Sequence, residues 1–455
     1  MRGWRIFLVW LLAWVLSSSA RADLWVTGYY PGYESGAMAP SNIDFTTITH
    51  VIHFSLVPES NGGVNNTANS LSESAAAKLV GLAHAAGRQA LVCIGGAGTE
   101  SNFLGATSEA NLGFFVTNIT GFMSSNNYDG VDLDWEPFNS ADTEQYTNLV
   151  NGLRAALNKF ATHKLLTVAA PAYPESGDSP TAEFAMLASV QGQFDQINIM
   201  TYDLSGPYEG WVTWYNSPIY DGGYTFPSVP TKLVPSINGA VNNFVSNGIK
   251  PGKLGIGLPF YGYNWTGGPG VTQARQSWPP TNVPTVTTPT YATIMNSYYQ
   301  SNIYHWDNVA QAACLGITNT PSSGDMFISY DDTHACEAKV SYARNLHLGG
   351  LMIWELSQDY FSSEPAGQRT PLVAALKQSL ATPSISAMEL NGGVISFSFS
   401  SLPLGLYSVE WTTNLAAPSW NILSNNVAGT GTNVVINVPA GAAQTERFYR
   451  IQTPP

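Results

Sequence analysis

An α/β chain built on a (β/α)8 barrel, a TIM barrel, followed by a small all-β module is what three features of this 455-residue sequence predict. Apolar runs of strand length recur from Leu24 to Trp354, segments with apolar residues at every third and fourth position separate them, and the ends of the runs carry polar or aromatic motifs. Alternating strands and helices imply parallel pairing with crossover connections, and eight strands is the number that closes into a barrel.

The chain opens with Arg2 and Arg5 before an apolar run from Ile6 to Leu16, then small residues and Ala20-Arg21-Ala22. This reads as a secretion signal over 1–22, cleaved before Asp23, and the run is too short to span a bilayer. The barrel is expected over 23–380, with strands Leu24–Tyr30, Val51–Val57, Ala90–Gly95, Gly130–Trp135, Leu165–Ala170, Gln196–Tyr202, Leu254–Pro259 and Gly350–Trp354. Between them Ser74–Ala86, Thr143–Phe160, Val234–Ser246 and Ala335–Asn345 have helical periodicity, as does the closing Pro371–Leu380. The interval 263–326 is too long for a simple connection, and such segments are usually functional or fold by themselves. Ala381-Thr382-Pro383-Ser384 reads as a linker. From 385 to 455 the alternating runs Val394–Phe399, Gly405–Thr412 and Val434–Val438, parted by turn-rich stretches such as Asn425–Thr432, predict a sandwich. Trp411 and Trp420 are expected in its core rather than on a polysaccharide-binding face.

The most informative stretch is Asp129-Gly130-Val131-Asp132-Leu133-Asp134-Trp135-Glu136. Side chains alternate across a strand, so Asp132, Asp134 and Glu136 share one face within roughly 13 Å. Burying acids together costs several kcal/mol unless the charge is used. Neighbouring carboxylates suppress each other's ionisation and keep a proton available near neutral pH, which is what a general acid needs. A calcium loop would carry polar residues between the acids, a glycine at its sixth position and a glutamate at its twelfth. Here the intervening residues are apolar and no such glycine follows.

Asp129-x-x-Asp132-x-Asp134-x-Glu136, with Trp135 and Pro137, resembles the signature of family 18 glycoside hydrolases, the chitinases and their relatives. Further pieces stand in family order: Gly28-Tyr29-Tyr30, Gly95-Gly96, Met200-Thr201-Tyr202-Asp203, Gly257-Leu258-Pro259-Phe260-Tyr261-Gly262, Tyr330-Asp331-Asp332 and Gly349-Gly350-Leu351-Met352-Ile353-Trp354-Glu355. Each closes a predicted strand or follows one, which is where such barrels build their sites. The resemblance implies a secreted chitinase with Glu136 as general acid/base and a substrate-assisted, retaining route in which the sugar's acetamido oxygen is the nucleophile. It implies that Asp134 holds the acetamido N–H, that Asp132 tunes Asp134, and that Tyr202 positions the acetamido carbonyl. It also implies substrate-binding roles for Tyr29, Phe54, Trp135, Met200, Asp203, Tyr261 and Trp354, with Trp354 as the floor beneath the distorted sugar. Trp211, Trp214 and Trp306 are weaker candidates for neighbouring subsites. Within 263–326 it implies a small α+β insertion forming one wall of a cleft. The family usually has a serine where this chain has Cys93; a thiol is the weaker donor, so the Asp132/Asp134 pair is expected to be less well solvated. The C-terminal stretches Tyr407–Leu415 and Arg447–Arg450 look like a module of secreted bacterial proteins.

Charged residues are only 11% of the chain and its formal net charge is −13, which argues against nucleic acid and suits a neutral polymer. The expected partner is chitin or N-acetylglucosamine oligosaccharide, met by a monomer with no membrane attachment in its mature form. No cofactor is expected, and the scattered histidines, His50 and His53 among them, show no metal-ligand spacing. Three cysteines cannot all pair; Cys314 and Cys336 are expected to form a disulfide, leaving Cys93 as a buried thiol. The same acids would serve an endo-β-N-acetylglucosaminidase acting on N-glycans, whereas a chitin-binding lectin on this fold would typically have replaced Glu136.

Overall fold

A computed structural model describes residues 24–173, 180–381, 383, 385–401, 406–415, 418–430, 432–439 and 447–452. The expected secretion signal lies outside the described residues, as do two positions of the expected linker, 382 and 384.

The eight barrel strands are β1 (Trp25–Pro31), β2 (His50–Pro58), β3 (Gln89–Gly96), β4 (Gly130–Trp135), β5 (Leu165–Pro171), β6 (Gln196–Met200), β7 (Leu254–Pro259) and β8 (Gly350–Trp354). All pair in parallel with their sequence neighbours, and β8 closes on β1. Outward-facing strand residues such as Val131, Leu133, Val168 and Ile256 pack into the main apolar core beneath the helices. A smaller cluster fills the barrel itself, among it Tyr29, Phe54, Leu91, Cys93 and Met352.

Caps explain where several helices begin. The helix expected from Val234 starts at Ile237, because the Ser236 side chain accepts the Gly239 N–H and turns the chain into the helix. The Asp332 carboxylate does the same for Thr333–Asn345 by accepting the Ala335 N–H. Helices Glu100–Ala106, Leu112–Ser125 and Pro180–Val190 complete the shell in segments that lack a clear apolar periodicity.

Between β7 and β8 stands an α+β insertion. Its antiparallel sheet runs in the order Pro284–Thr287, Gly262–Gly267, Met326–Tyr330, Ala312–Ile317, Tyr304–Asp307, with helix Tyr291–Ser297. Its Trp265 and Phe327 share a second core with Trp214 and Phe226 of the β6–β7 connection. The disulfide expected between Cys314 and Cys336 is not formed; all three cysteines are free and buried. Cys314 packs into the insertion's core and Cys336 into the barrel's, so the two thiols serve different clusters.

The C-terminal module is two three-stranded antiparallel sheets, Ile385–Asn391, Val394–Ser400 and Asn433–Pro439 against Asn421–Ala428, Leu406–Thr412 and Phe448–Gln452. Phe397, Phe399 and Val438 from one sheet meet Tyr407 and Val409 from the other. Trp411 and Trp420 are not in this core as expected. Both are half-buried, and the guanidinium groups of Arg447 and Arg450 lie 4.8 and 4.2 Å from their respective rings. The stretch from Asn425, expected as a turn, continues as strand to Ala428.

Candidate active site

Strand β4 sets the geometry by its two-residue period. Val131, Leu133 and Trp135 turn outward into the core, so Asp132 and Asp134 turn into the barrel and Glu136 stands at its mouth. Asp132 is fully buried, with its carboxylate bonded by the Tyr29 hydroxyl at 2.7 Å, the Thr167 hydroxyl at 2.5 Å and the Cys93 thiol. Burial still outweighs these donors and raises its pKa to about 6. Asp134 is pushed up further, first by burial and then by the charges of Glu136 and Asp132. It is hydrogen-bonded to Glu136, while its Oδ1 meets no donor among the described residues. With burial and two neighbouring acids all disfavouring its charge, Asp134 is pushed toward its protonated form at the barrel mouth.

Glu136 is fixed through its backbone. Its carbonyl accepts the N–H groups of Thr99 at 2.9 Å and Glu100 at 3.1 Å, from the loop after β3. That loop comes so close because Gly95 and Gly96 have φ of 115° and 116°. A Cβ on Gly95 would sit 1.9 Å from the Asp134 carbonyl oxygen, and one on Gly96 would sit 2.7 Å from the Phe54 ring.

A cavity of about 550 Å³ opens over the pair, lined by Tyr29, Tyr33, Phe54, Asn69, Asn102, Asp134, Glu136, Met200, Tyr202, Asp203, Trp354 and the turn from Gly95 to Thr99. Trp354 lies with its ring 5.5 Å from Tyr29 and 4.8 Å, edge-on, from Phe54. The Tyr202 hydroxyl points at the Met352 sulfur, 3.6 Å away. Asp203, at φ 55°, donates its N–H to Asn216 at 2.8 Å and accepts the Tyr261 hydroxyl at 2.5 Å. Burial raises the Asp203 pKa against the opposing bonds from Tyr261 and Tyr263. Glu355, just past β8, has its pKa raised to about 7 by burial, against hydrogen bonds from Ser357. Among the described residues no group of three metal-ligating side chains converges.

The structure thus gathers Asp134, Glu136, Tyr29, Phe54, Met200, Tyr202, Asp203 and Trp354 at one mouth, with Asp132 buried beneath them and bonded to Tyr29. Tyr261 stands behind Asp203 and is not part of the lining. Trp135 is a correction: it stacks on Phe103 at 4.4 Å in the helical shell, on the face opposite the acids. Trp214, from the β6–β7 connection, is fully buried against the insertion, Trp306 stacks on His334, and Trp211 packs against Tyr208 and Phe226; none lines the cavity. Asn69 and Tyr33 come from turns, and Asn102 from the helix Glu100–Ala106, none of which carries a motif. Thr167 did leave a signal, as a hydroxyl in the apolar run Leu165–Pro171 at the position that pairs in register with Asp132.

Residues 26–359 match the profile described as "Glycosyl hydrolases family 18". The chain is 29% identical to chitinase A1 of Niallia circulans over 72% of its own length and 47% of that protein. It is 27% identical to chitinase 1 of Aphanocladium album over 59% of its length and 61% of that protein. The human chitinase-3-like protein 2 is 28% identical over 58% of this chain and 68% of that protein. The chain therefore spans between about half and two thirds of these relatives. Among solved structures, the Ostrinia furnacalis Group IV chitinase in complex with allosamidin superposes with a TM-score of 0.67 at 23% identity, over 79% of this chain and 99% of that one. A Cycas revoluta chitinase in complex with (GlcNAc)3 gives 0.61 at 21% identity, over 78% and 98%. These two likenesses concern the fold, whereas the profile match covers most of the chain: it belongs to glycoside hydrolase family 18.

Proposed function

We propose that the chain is an exported, monomeric chitinase that hydrolyses β-1,4-linked N-acetylglucosamine chains with retention of configuration. The observation that carries this reading is the pair of adjacent acids, Asp134 and Glu136, lining one cavity with the rings of Trp354, Tyr29 and Phe54, where burial favours a retained proton. Glu136 passes that proton to the glycosidic oxygen. The C1–O bond breaks as the acetamido oxygen of the same sugar bonds to C1, giving a cyclic cation. Asp134, freed from Glu136, accepts the acetamido N–H and lays negative charge beside the cation, while the Tyr202 hydroxyl holds the acetamido oxygen in line. Water then attacks C1 from the opposite face, gives a proton to Glu136 and opens the ring. Two displacements at C1 leave its configuration unchanged.

The lining supports this substrate class. Trp354, Tyr29 and Phe54 offer apolar faces to a sugar ring, and Asn69, Asn102 and Asp203 offer hydrogen bonds to its edges. The names of the relatives, chitinase A1 and chitinase 1 among them, point the same way. The test is to incubate the full chain with N-acetylglucosamine oligomers and with cello-oligomers and follow the new reducing ends by proton NMR. Cleavage of the acetamido sugars alone, with the β-anomer appearing first, is expected. Cutting of cello-oligomers, an α-anomer as first product, or binding without cleavage would overturn the reading.

A further inference from the structure

Beyond Met200 the β6 ladder ends, yet the next residues, Thr201 to Asp203, carry two groups of the cavity wall. What holds them reaches in from outside the cavity. Lys339, on the helix Thr333–Asn345, is fully buried and paired with Asp331, itself 4% exposed at the base of the insertion. The same ammonium donates to the Ser217 hydroxyl at 2.6 Å. The Ser217 hydroxyl donates in turn to the Thr201 carbonyl at 2.5 Å. A hydroxyl has one proton, so a cation donating to its oxygen leaves that proton for the carbonyl.

Asn216 next door accepts the Asp203 N–H and donates its own N–H to Ser329 in the insertion sheet at 2.9 Å. On the other side the Thr201 hydroxyl accepts the Gly257 N–H of β7 at 2.7 Å. The Tyr202 ring lies so close to β7 that a Cβ on Gly257 would come within 2.7 Å of it, so a small movement of the Thr201–Tyr202 peptide re-aims the phenol. A buried ion pair is a poor device for stability alone, since apolar residues of similar volume often serve as well.

The geometry points to Lys339, Asp331 and Ser217 as positioning residues: the buried ion pair directs the Ser217 hydroxyl onto the Thr201 carbonyl and so fixes the aim of Tyr202. The inference rests on the hydrolytic reading above and extends it to groups that touch no substrate.

The test is a double-mutant cycle in the full chain, assayed on an aryl glycoside of an N-acetylglucosamine oligomer, with thermal melting alongside. Ser217→Ala removes one oxygen and leaves the ion pair in place. It is expected to lower kcat about tenfold with KM within about twofold, since misplacement at a reacting centre is felt in the rate. Ser217→Thr restores most of the loss, and Lys339→Met shows the same fall in kcat per folded molecule. On a Tyr202→Phe background Ser217→Ala costs nothing further. An unchanged kcat in Ser217→Ala, or the full tenfold loss repeated on the Tyr202→Phe background, overturns the inference. Absence of cleavage by the parent chain overturns the hydrolytic reading instead. The cycle is then read from oligosaccharide affinity, where the same non-additivity supports the relay and full additivity sinks it.

Discussion

The two ends of the barrel treat their aspartates in opposite ways. Below the strands, Asp195 stands just before β6, accepting the Leu166 N–H at 2.9 Å, the Arg154 guanidinium at 2.6 Å and His163 at 2.8 Å. Burial pushes its pKa up, but these donors outweigh burial and hold it below the ordinary value. Asp129, just before β4, likewise accepts the Ala90 N–H and pairs with His84, each at 2.8 Å. At the mouth, Asp134 is surrounded by further acids, one of its oxygens meets no donor among the described residues, and its pKa rises. The balance between burial and donors, charged ones such as Arg154 above all, decides whether a carboxyl group ties strands together or is pushed toward its protonated form.

The linkage signs differ accordingly. Asp195 adds stability above its unfolded pKa and loses it as pH falls. Asp132, raised from 3.8 to about 6, does the reverse: between those values the folded chain binds more protons than the unfolded one, and stability declines as pH rises.

The sharpest way to break this contrast is Glu136→Gln, expected to lower kcat on N-acetylglucosamine oligomers about 10³-fold while melting stays within a few degrees. Asp134→Asn is expected to lower kcat about 10²-fold and to leave the melting temperature at pH 7 unchanged or higher, because an ill-partnered buried acid is removed. Asp195→Asn should do the opposite, costing about 2 kcal/mol in urea unfolding with kcat per folded molecule intact. If Asp195→Asn abolished turnover while Asp134→Asn only destabilised, the division between the two ends would be wrong.

Glu355 extends the comparison to a third acid near the mouth. Its rise from 4.5 to about 7 corresponds to about 3 kcal/mol of stability lost as pH climbs through that window. Glu355→Gln should therefore flatten the pH dependence, melting above the parent at pH 8 by a few degrees and no higher at pH 4. The smallest effect belongs to Cys93→Ser. A hydroxyl donates to Asp132 better than a thiol, so the acidic limb of the rate profile should move to lower pH by a few tenths of a unit. An unmoved limb would mean that Tyr29 and Thr167 already satisfy Asp132.

The barrel was legible because its strands are short apolar runs ended by punctuation. Gly130–Trp135, Leu254–Pro259 and Gly350–Trp354 begin and end where the sequence reading places them. Helix Leu112–Ser125 was not legible: its β-branched and aromatic residues and two glycines are weak helix formers, and Phe115, Val116, Ile119 and Met123 pack it from the tertiary side. The acids of the site were readable from spacing alone. The substrate-binding role of Trp135 comes only from the resemblance, whereas strand alternation turns its ring outward, opposite the acids. The Cys314–Cys336 pairing rested on sequence separation, which says nothing about which core each thiol faces. Asn69 reaches the cavity through a turn, and Asn102 through the short helix Glu100–Ala106, whose placement no local pattern encodes.

The stack of Trp135 on Phe103 has a consequence for how this molecule can diversify. Adjacent residues on a strand cannot rotate independently, so the indole acts as a counterweight that keeps Asp134 and Glu136 pointed into the lumen. Substitutions in the outer shell would therefore disturb proton delivery before they disturbed sugar recognition. Asn69 and Tyr33, carried on turns apart from β4, remain free to vary without unsettling the acids, whereas Asn102 rides on the helix whose first turn holds the Glu136 carbonyl.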